Sequence, residues 1–267
     1  MASIEFIFLQ ELAERFTSVP CAIAAVERDG QRESREERFT VERARNEAAL
    51  QIALKKLFGA AGFPEDIANH DLQWRHDGWG KPFVTWRGKA LEWANAQGYS
   101  DQNLHVSNTH DGTAHLILAA YGENLVGAGV DVVHLPRLRS PNKGRDYTLR
   151  FARQFMSGQE WAEFLEYAEE DTDEELLLRA AAHFSLMESA SKACGTGLKI
   201  GFGMGRDYSL PKDSIGVTTL YSRVELLFQS AARNRIDTMN VKRSEANWNT
   251  CDAGGEYLVS AVLLSRE

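Results

Sequence analysis

Asp131, Glu188 and Lys192 have the residue types and spacing of a site that handles phosphate. Asp131 stands in the apolar run Gly129-Val130-Asp131-Val132-Val133-His134-Leu135, read as a strand delivering one carboxylate near its middle. Glu188 and Lys192 stand one turn apart in Phe184-Ser185-Leu186-Met187-Glu188-Ser189-Ala190-Ser191-Lys192, read as a helix that Gly195 ends, so both leave from one face. Two carboxylates suit a hard divalent cation such as Mg²⁺, and a lysine beside them suits phosphate oxygens. Each residue also has a plainer reading. A carboxylate in an apolar strand costs several kcal/mol unless paired, and an arginine partner or a capping role satisfies it as well as a metal does. Glu before Lys at i,i+4 is the order of an ordinary helix-surface pair, worth about 0.3–0.5 kcal/mol. Phe184, Leu186, Met187 and Ala190 leave little open polar surface on that helix, which counts against the surface pair.

These residues must be positioned by helices and strands. Apolar or small residues at helical spacing from Val41 to Phe58, ending at Gly59, predict a helix over 39–58. Short strands are predicted at 72–74 and 82–86 around a turn, and buried strands at 115–121 and 128–135. A long helix covers 174–194 and a last strand 257–264, with further strands expected near Tyr208, Val217 and 224–228. Asn108-Thr109-His110-Asp111-Gly112 reads as a turn, and 139–173 as a partly mobile loop and helix. Gly201, Gly203 and Gly205 neither follow a clear strand nor open a clear helix, so they do not make a dinucleotide site.

A chain of 267 residues, 43% apolar with six Trp, is globular and forms one large or two modest domains. The net charge of −8 counts against broad nucleic-acid binding. No apolar run is long enough to span a membrane, the first residues lack a signal-peptide pattern, and three scattered cysteines read as reduced thiols. A cytoplasmic location is expected. The stretch 137–153 is nevertheless basic, with Arg137, Arg139, Lys143, Arg145, Arg150 and Arg153 against Asp146. It is either a solvated loop or a dock for an acidic partner.

The order of motifs resembles the 4′-phosphopantetheinyl transferase superfamily. Gly80-Lys81-Pro82, Thr109-His110-Asp111-Gly112, Gly129-Val130-Asp131-Val132 and the helix of Glu188 and Lys192 with its Gly195-Thr196-Gly197 ending follow its patterns. The resemblance implies an α+β fold of two pseudo-symmetric halves, here 1–125 and 126–267, with the active site at their interface and a monomer as the expected state. It implies Mg²⁺-dependent transfer of 4′-phosphopantetheine from coenzyme A to a serine of an acyl- or peptidyl-carrier protein, as in fatty acid, polyketide or nonribosomal peptide synthesis. Asp131, Glu188 and Asp111 are the implied metal ligands, with Asp111 alternatively a turn residue. Glu188 and Lys192 are the implied catalytic pair. Lys81, Thr109, His110 and Lys192 are implied to hold coenzyme A, with Arg43 and Arg45 as further arginines on the early helix. Arg137 and Arg139 are implied to meet the carrier.

Three positions depart from the pattern. Met187 stands where the family usually has lysine, Phe184 replaces the usual tryptophan, and Val133 stands where some members have a third acid. Methionine carries no charge and fills cores. A carrier-protein or coenzyme A binding relative without useful catalysis is therefore the alternative, and another Mg²⁺-dependent nucleotide or phosphate transferase a further one.

Overall fold

The computed structural model describes residues 7–27, 35–78, 80–139, 144–199, 210–211, 215–220, 223–251 and 256–267. In chain order the elements are α1 (Ile7–Glu14), β1 (Cys21–Glu27), α2 (Arg35–Phe58), β2 (Leu72–His76), β3 (Pro82–Trp86), α3 (Gly88–Gln97), β4 (Leu104–Asp111), β5 (Ala114–Tyr121) and β6 (Leu125–His134). There follow α4 (Leu135–Leu138), α5 (Arg145–Arg153), α6 (Gly158–Glu170), α7 (Asp173–Ala193), β7 (Leu198–Lys199), β8 (Leu210–Pro211), β9 (Ile215–Leu220), β10 (Arg223–Phe228), α8 (Ser230–Met239), β11 (Arg243–Cys251) and β12 (Tyr257–Ser265). The glycine run at 201–205, Tyr208 and Lys143 lie outside the described residues.

The architecture is α+β, and one topology occurs twice. β1 pairs antiparallel with β5 and β5 with β4, and α2 packs on that sheet. β6 pairs antiparallel with β12 and β12 with β11, and α7 packs on that one. In each, a helix follows the first strand and the first strand pairs with the last. Alternation along the strands divides the core. Ile23, Leu116 and Leu118 of the first sheet share one cluster with Val130, Val132, Val259 and Ala261 of the second, closed by Leu9 and Leu12 of α1. The opposite faces lie under α2 and α7, through Ile117 and Leu50 on one side and Val262 and Leu186 on the other.

α7 approaches the second sheet unusually closely, and the sequence allows this by removing side chains. A Cβ on Gly129 would lie 1.9 Å from the Ser189 carbonyl oxygen, and one on Gly127 would lie 2.2 Å from that of Ala193. Backbone atoms cannot give way by such amounts, so glycine is required at both positions. Buried hydroxyls fill the remaining gap. Ser260 on β12 lies 2.8 Å from Ser185 and 2.7 Å from Ser189, Oγ to Oγ. Thr172 and Glu175 form the capping box that starts α7, and Gly195, with φ of 74°, follows its end.

Two expectations change. Thr109, His110 and Asp111 belong to strand β4, because each pairs across to β5 (Thr109↔Leu116, His110↔His115, Asp111↔Ala114); Gly112, with φ of 56°, makes the turn. Within 139–173 the structure forms two helices, α5 and α6, the second opened by a Ser157–Glu160 capping box.

Candidate functional site

β6 presents Asp131 toward α7, directly opposite Ser260 of β12, with 7% of its surface exposed. Its two oxygens differ. Oδ1 accepts hydrogen bonds from Lys192 Nζ at 2.8 Å and Thr109 Oγ1 at 3.0 Å. Oδ2 is buried and accepts none. Lys192 Nζ also donates to the Val130 carbonyl at 3.0 Å, which ties the lysine to the strand. Glu188, one turn earlier on α7, is partly buried. Burial first, and then the Asp131 charge, push its carboxyl up to about 7, against the pull of Lys192.

Thr109 reaches Asp131 through the period of β4. Alternate residues of this strand face β6 and are stitched to it. Val130 N donates to Ser107 Oγ at 3.1 Å, Thr109 bonds Asp131, and His134 N donates to Asp111 Oδ2 at 2.8 Å. The carboxylate site therefore sits where the two sheets adjoin, with β4, β6 and α7 supplying its parts.

The donor chemistry fits Mg²⁺. Asp131 Oδ2 is a buried acceptor lacking any partner, and Glu188 is a carboxylate whose charge burial disfavours; a hard cation relieves both. Among the described residues no group of three or more His, Cys, Asp or Glu is arranged around one ion. A cation here would rely on these two carboxylates together with oxygens of substrate or water, a mode Mg²⁺ favours.

Asp111 is engaged elsewhere. Its Oδ1 accepts from Gly112 N at 2.9 Å, and its Oδ2 pairs with Arg137 Nη2 at 3.0 Å besides binding His134 N. The structure does not bring it to Asp131 and Glu188. Thr109, expected at the nucleotide, turns its hydroxyl to Asp131. His110 lies on the opposite face of β4, exposed, beside His115. Lys81 lies at the other end of β4. It borders a cavity of about 340 Å³ with His105, Asp77, Thr85 and Gln102. Its Nζ is 3.4 Å from the Val126 carbonyl oxygen, and its stem lies against Gly195 at the end of α7. Burial first, with Arg235 adding, lowers Lys81 to about 8. Five residues of strand separate His105 from His110, about 16 Å at the usual rise, so Lys81 and His110 are not brought together.

Met187 is fully buried in the core under α7, and Val133 is likewise buried, against Leu177 and Ala181. Neither side chain reaches the carboxylates. Arg139 Nε donates to Glu174 at 3.0 and 3.2 Å, Arg145 pairs with Asp173 at 3.1 Å, and Arg137 remains half exposed beside Asp111. Much of the basic stretch is thus neutralised within the chain. No local pattern in the sequence marks Ser189, Ser260 or Asn46, or Ser107 beyond the period of its strand. The period-two spacing of Ser107, Thr109 and Asp111 was the signal available for Ser107.

Residues 127–254 match the 4′-phosphopantetheinyl transferase superfamily, a region that contains Asp131, Glu188 and Lys192. No curated protein matches the chain. Among solved structures, an acyl carrier protein synthase of Plasmodium yoelii with ADP bound is 16% identical, with a TM-score of 0.41, over 54% of this chain and 96% of its own. The holo-[acyl-carrier-protein] synthase of Neisseria meningitidis is 20% identical, with a TM-score of 0.40, over 53% of this chain and 98% of its own. That of Helicobacter pylori, in complex with coenzyme A, is 18% identical, with a TM-score of 0.34, over 52% and 99%.

Proposed function

We propose that this chain, whose residues 127–254 match the 4′-phosphopantetheinyl transferase superfamily, transfers the 4′-phosphopantetheine arm of coenzyme A to a serine of an acyl- or peptidyl-carrier protein. The serine oxygen forms a new bond to the phosphorus of the arm, and 3′,5′-adenosine bisphosphate leaves. The observation that carries this reading is Asp131, whose buried Oδ2 accepts no hydrogen bond while Lys192 bonds its Oδ1 and its charge acts on Glu188. Asp131 and Glu188 would hold Mg²⁺, which supplies charge for the pyrophosphate and the departing bisphosphate. Lys192 keeps a second positive charge at the same place, fixed by Asp131 Oδ1 and the Val130 carbonyl. Positioning and charge neutralisation dominate such transfers. Either Glu188 or a water held by the cation would take the serine proton. We take 1–125 and 126–267 as the two halves, with coenzyme A lying across them from His110, and half-exposed Arg137 as the arginine that meets a carrier.

The test is the mass of a purified apo carrier protein after incubation with this protein, Mg²⁺ and coenzyme A. The expected result is the gain of one phosphopantetheine arm. No gain across several carrier types, with coenzyme A still bound, would instead support a binding protein without catalysis.

A further inference from the structure

We propose that His115 and Asn46 are positioning residues that fix His110 for contact with a phosphate monoester at the nucleotide end of the co-substrate. This rests on the coenzyme A reading above and adds to it two residues outside the resembling motifs. His115, on β5, is 2% exposed, and its Nε2 lies 2.9 Å from Asn46 Oδ1 on α2. The same oxygen accepts from Asn108 Nδ2 at 3.2 Å. An amide oxygen only accepts, so His115 Nε2 carries the proton and donates it. Two strands and a helix thus hold the His115 ring in a single orientation, between apolar layers where a lost partner would be costly.

His110 is the cross-strand partner of His115 in the antiparallel register. Their rings are 7° from parallel, with centroids 6.0 Å apart. The arrangement is therefore a fixed buried ring beneath an exposed one. An exposed imidazole lacking such a platform samples several rotamers, and ordering it on a ligand costs entropy. Offset stacking on a ring that cannot turn removes part of that cost before the ligand arrives. The device serves a residue that meets a ligand, because His110 itself contributes little to the core.

The experiment measures calorimetric affinities of the full chain for coenzyme A and for 3′-dephospho-coenzyme A. The two ligands differ only in the phosphate monoester. Wild type is expected to prefer coenzyme A, and His110→Ala to lose about tenfold or more of that preference. His115→Ala should lose about three- to tenfold of it, with affinity for the dephospho form unchanged. His115→Phe, which keeps a ring but not the hydrogen bond, should lose less of it than His115→Ala and no more than Asn46→Ala. Asn46→Ala should lose part of it, and with His115→Phe it carries the test if His115→Ala does not fold. An unchanged preference in His115→Ala and Asn46→Ala, with loss in His110→Ala, overturns the positioning role while leaving the phosphate contact. An unchanged preference in His110→Ala as well overturns both. Absence of binding of either ligand to wild type overturns the coenzyme A reading itself.

Discussion

Asp131 divides its work between two oxygens, one bonded by Lys192 and Thr109 and the other bare. Asp131→Asn keeps an oxygen that accepts from both donors but removes the charge that would hold a cation. Glu188→Gln removes the second charge, one helical turn from Lys192. Each variant should fold and lose about a hundredfold or more of the transfer rate in the carrier mass assay. Thr109→Val removes one hydrogen bond of about 0.5–1.5 kcal/mol and should cost roughly two- to twelvefold. Wild-type transfer by Asp131→Asn would remove this carboxylate from the chemistry.

At the scale of elements, α7 carries the site because it is fastened along its length. Glycines and serines fasten its second half to β6 and β12, whereas its middle is held by Glu160 of α6. Glu160 Oε1 accepts from Val217 N at 2.8 Å and lies 2.9 Å from His183 Nε2, and its Oε2 accepts from Ser157 N at 2.8 Å. Burial works against this charge, but the adjacent His183 imidazole, with Ser157, prevails and holds Glu160 down to about 2 from 4.5. The folded chain therefore binds this proton more weakly than the unfolded chain. The stabilisation is complete above about pH 4.5 and is lost as the pH falls toward 2. Glu160→Gln should cost about 2 kcal/mol at pH 7, with the gap closing as the pH nears 2. Urea unfolding at pH 7 and pH 2.5 tests this, and a pH-independent gap would contradict it.

For the molecule as a whole, the question is what joins the two topologically equivalent sheets. Along β4 and β6 the join is a ladder of side chains. At the far end it is Lys81, whose stem covers Gly195 while Arg235 Nε donates to the Cys194 carbonyl at 2.8 Å. Positive groups at a helix C-terminus oppose its dipole favourably. We expect Lys81→Met to lower the melting temperature by about 2–4 °C, as a loss near 1 kcal/mol does in a chain of this size. Its preference for coenzyme A over the dephospho form should stay at the wild-type level. A collapse of that preference, with unchanged melting, would return Lys81 to the nucleotide.

The sequence by itself determined the carriers of charge and the elements holding them. Asp131 was legible as the acid in an apolar strand, Glu188 and Lys192 as an i,i+4 pair on a largely apolar helix, and α7, β3, β5, β6 and β12 from periodicity and glycine punctuation. Those signals are local, since a strand or helix announces its own faces through side chains a few residues apart. Only the tertiary structure decided that Thr109 serves Asp131, that Asp111 turns to Arg137, that Met187 is core, and that Lys81 and His110 lie at opposite ends of β4. These outcomes depend on β4 lying beside β6, and that neighbourhood follows from pairings between segments far apart in the chain, β1 with β5 and β6 with β12. No residue pattern within β4 encodes which strand will run along its edge. Its alternation fixes only which side chains will face that strand once packing has brought it there.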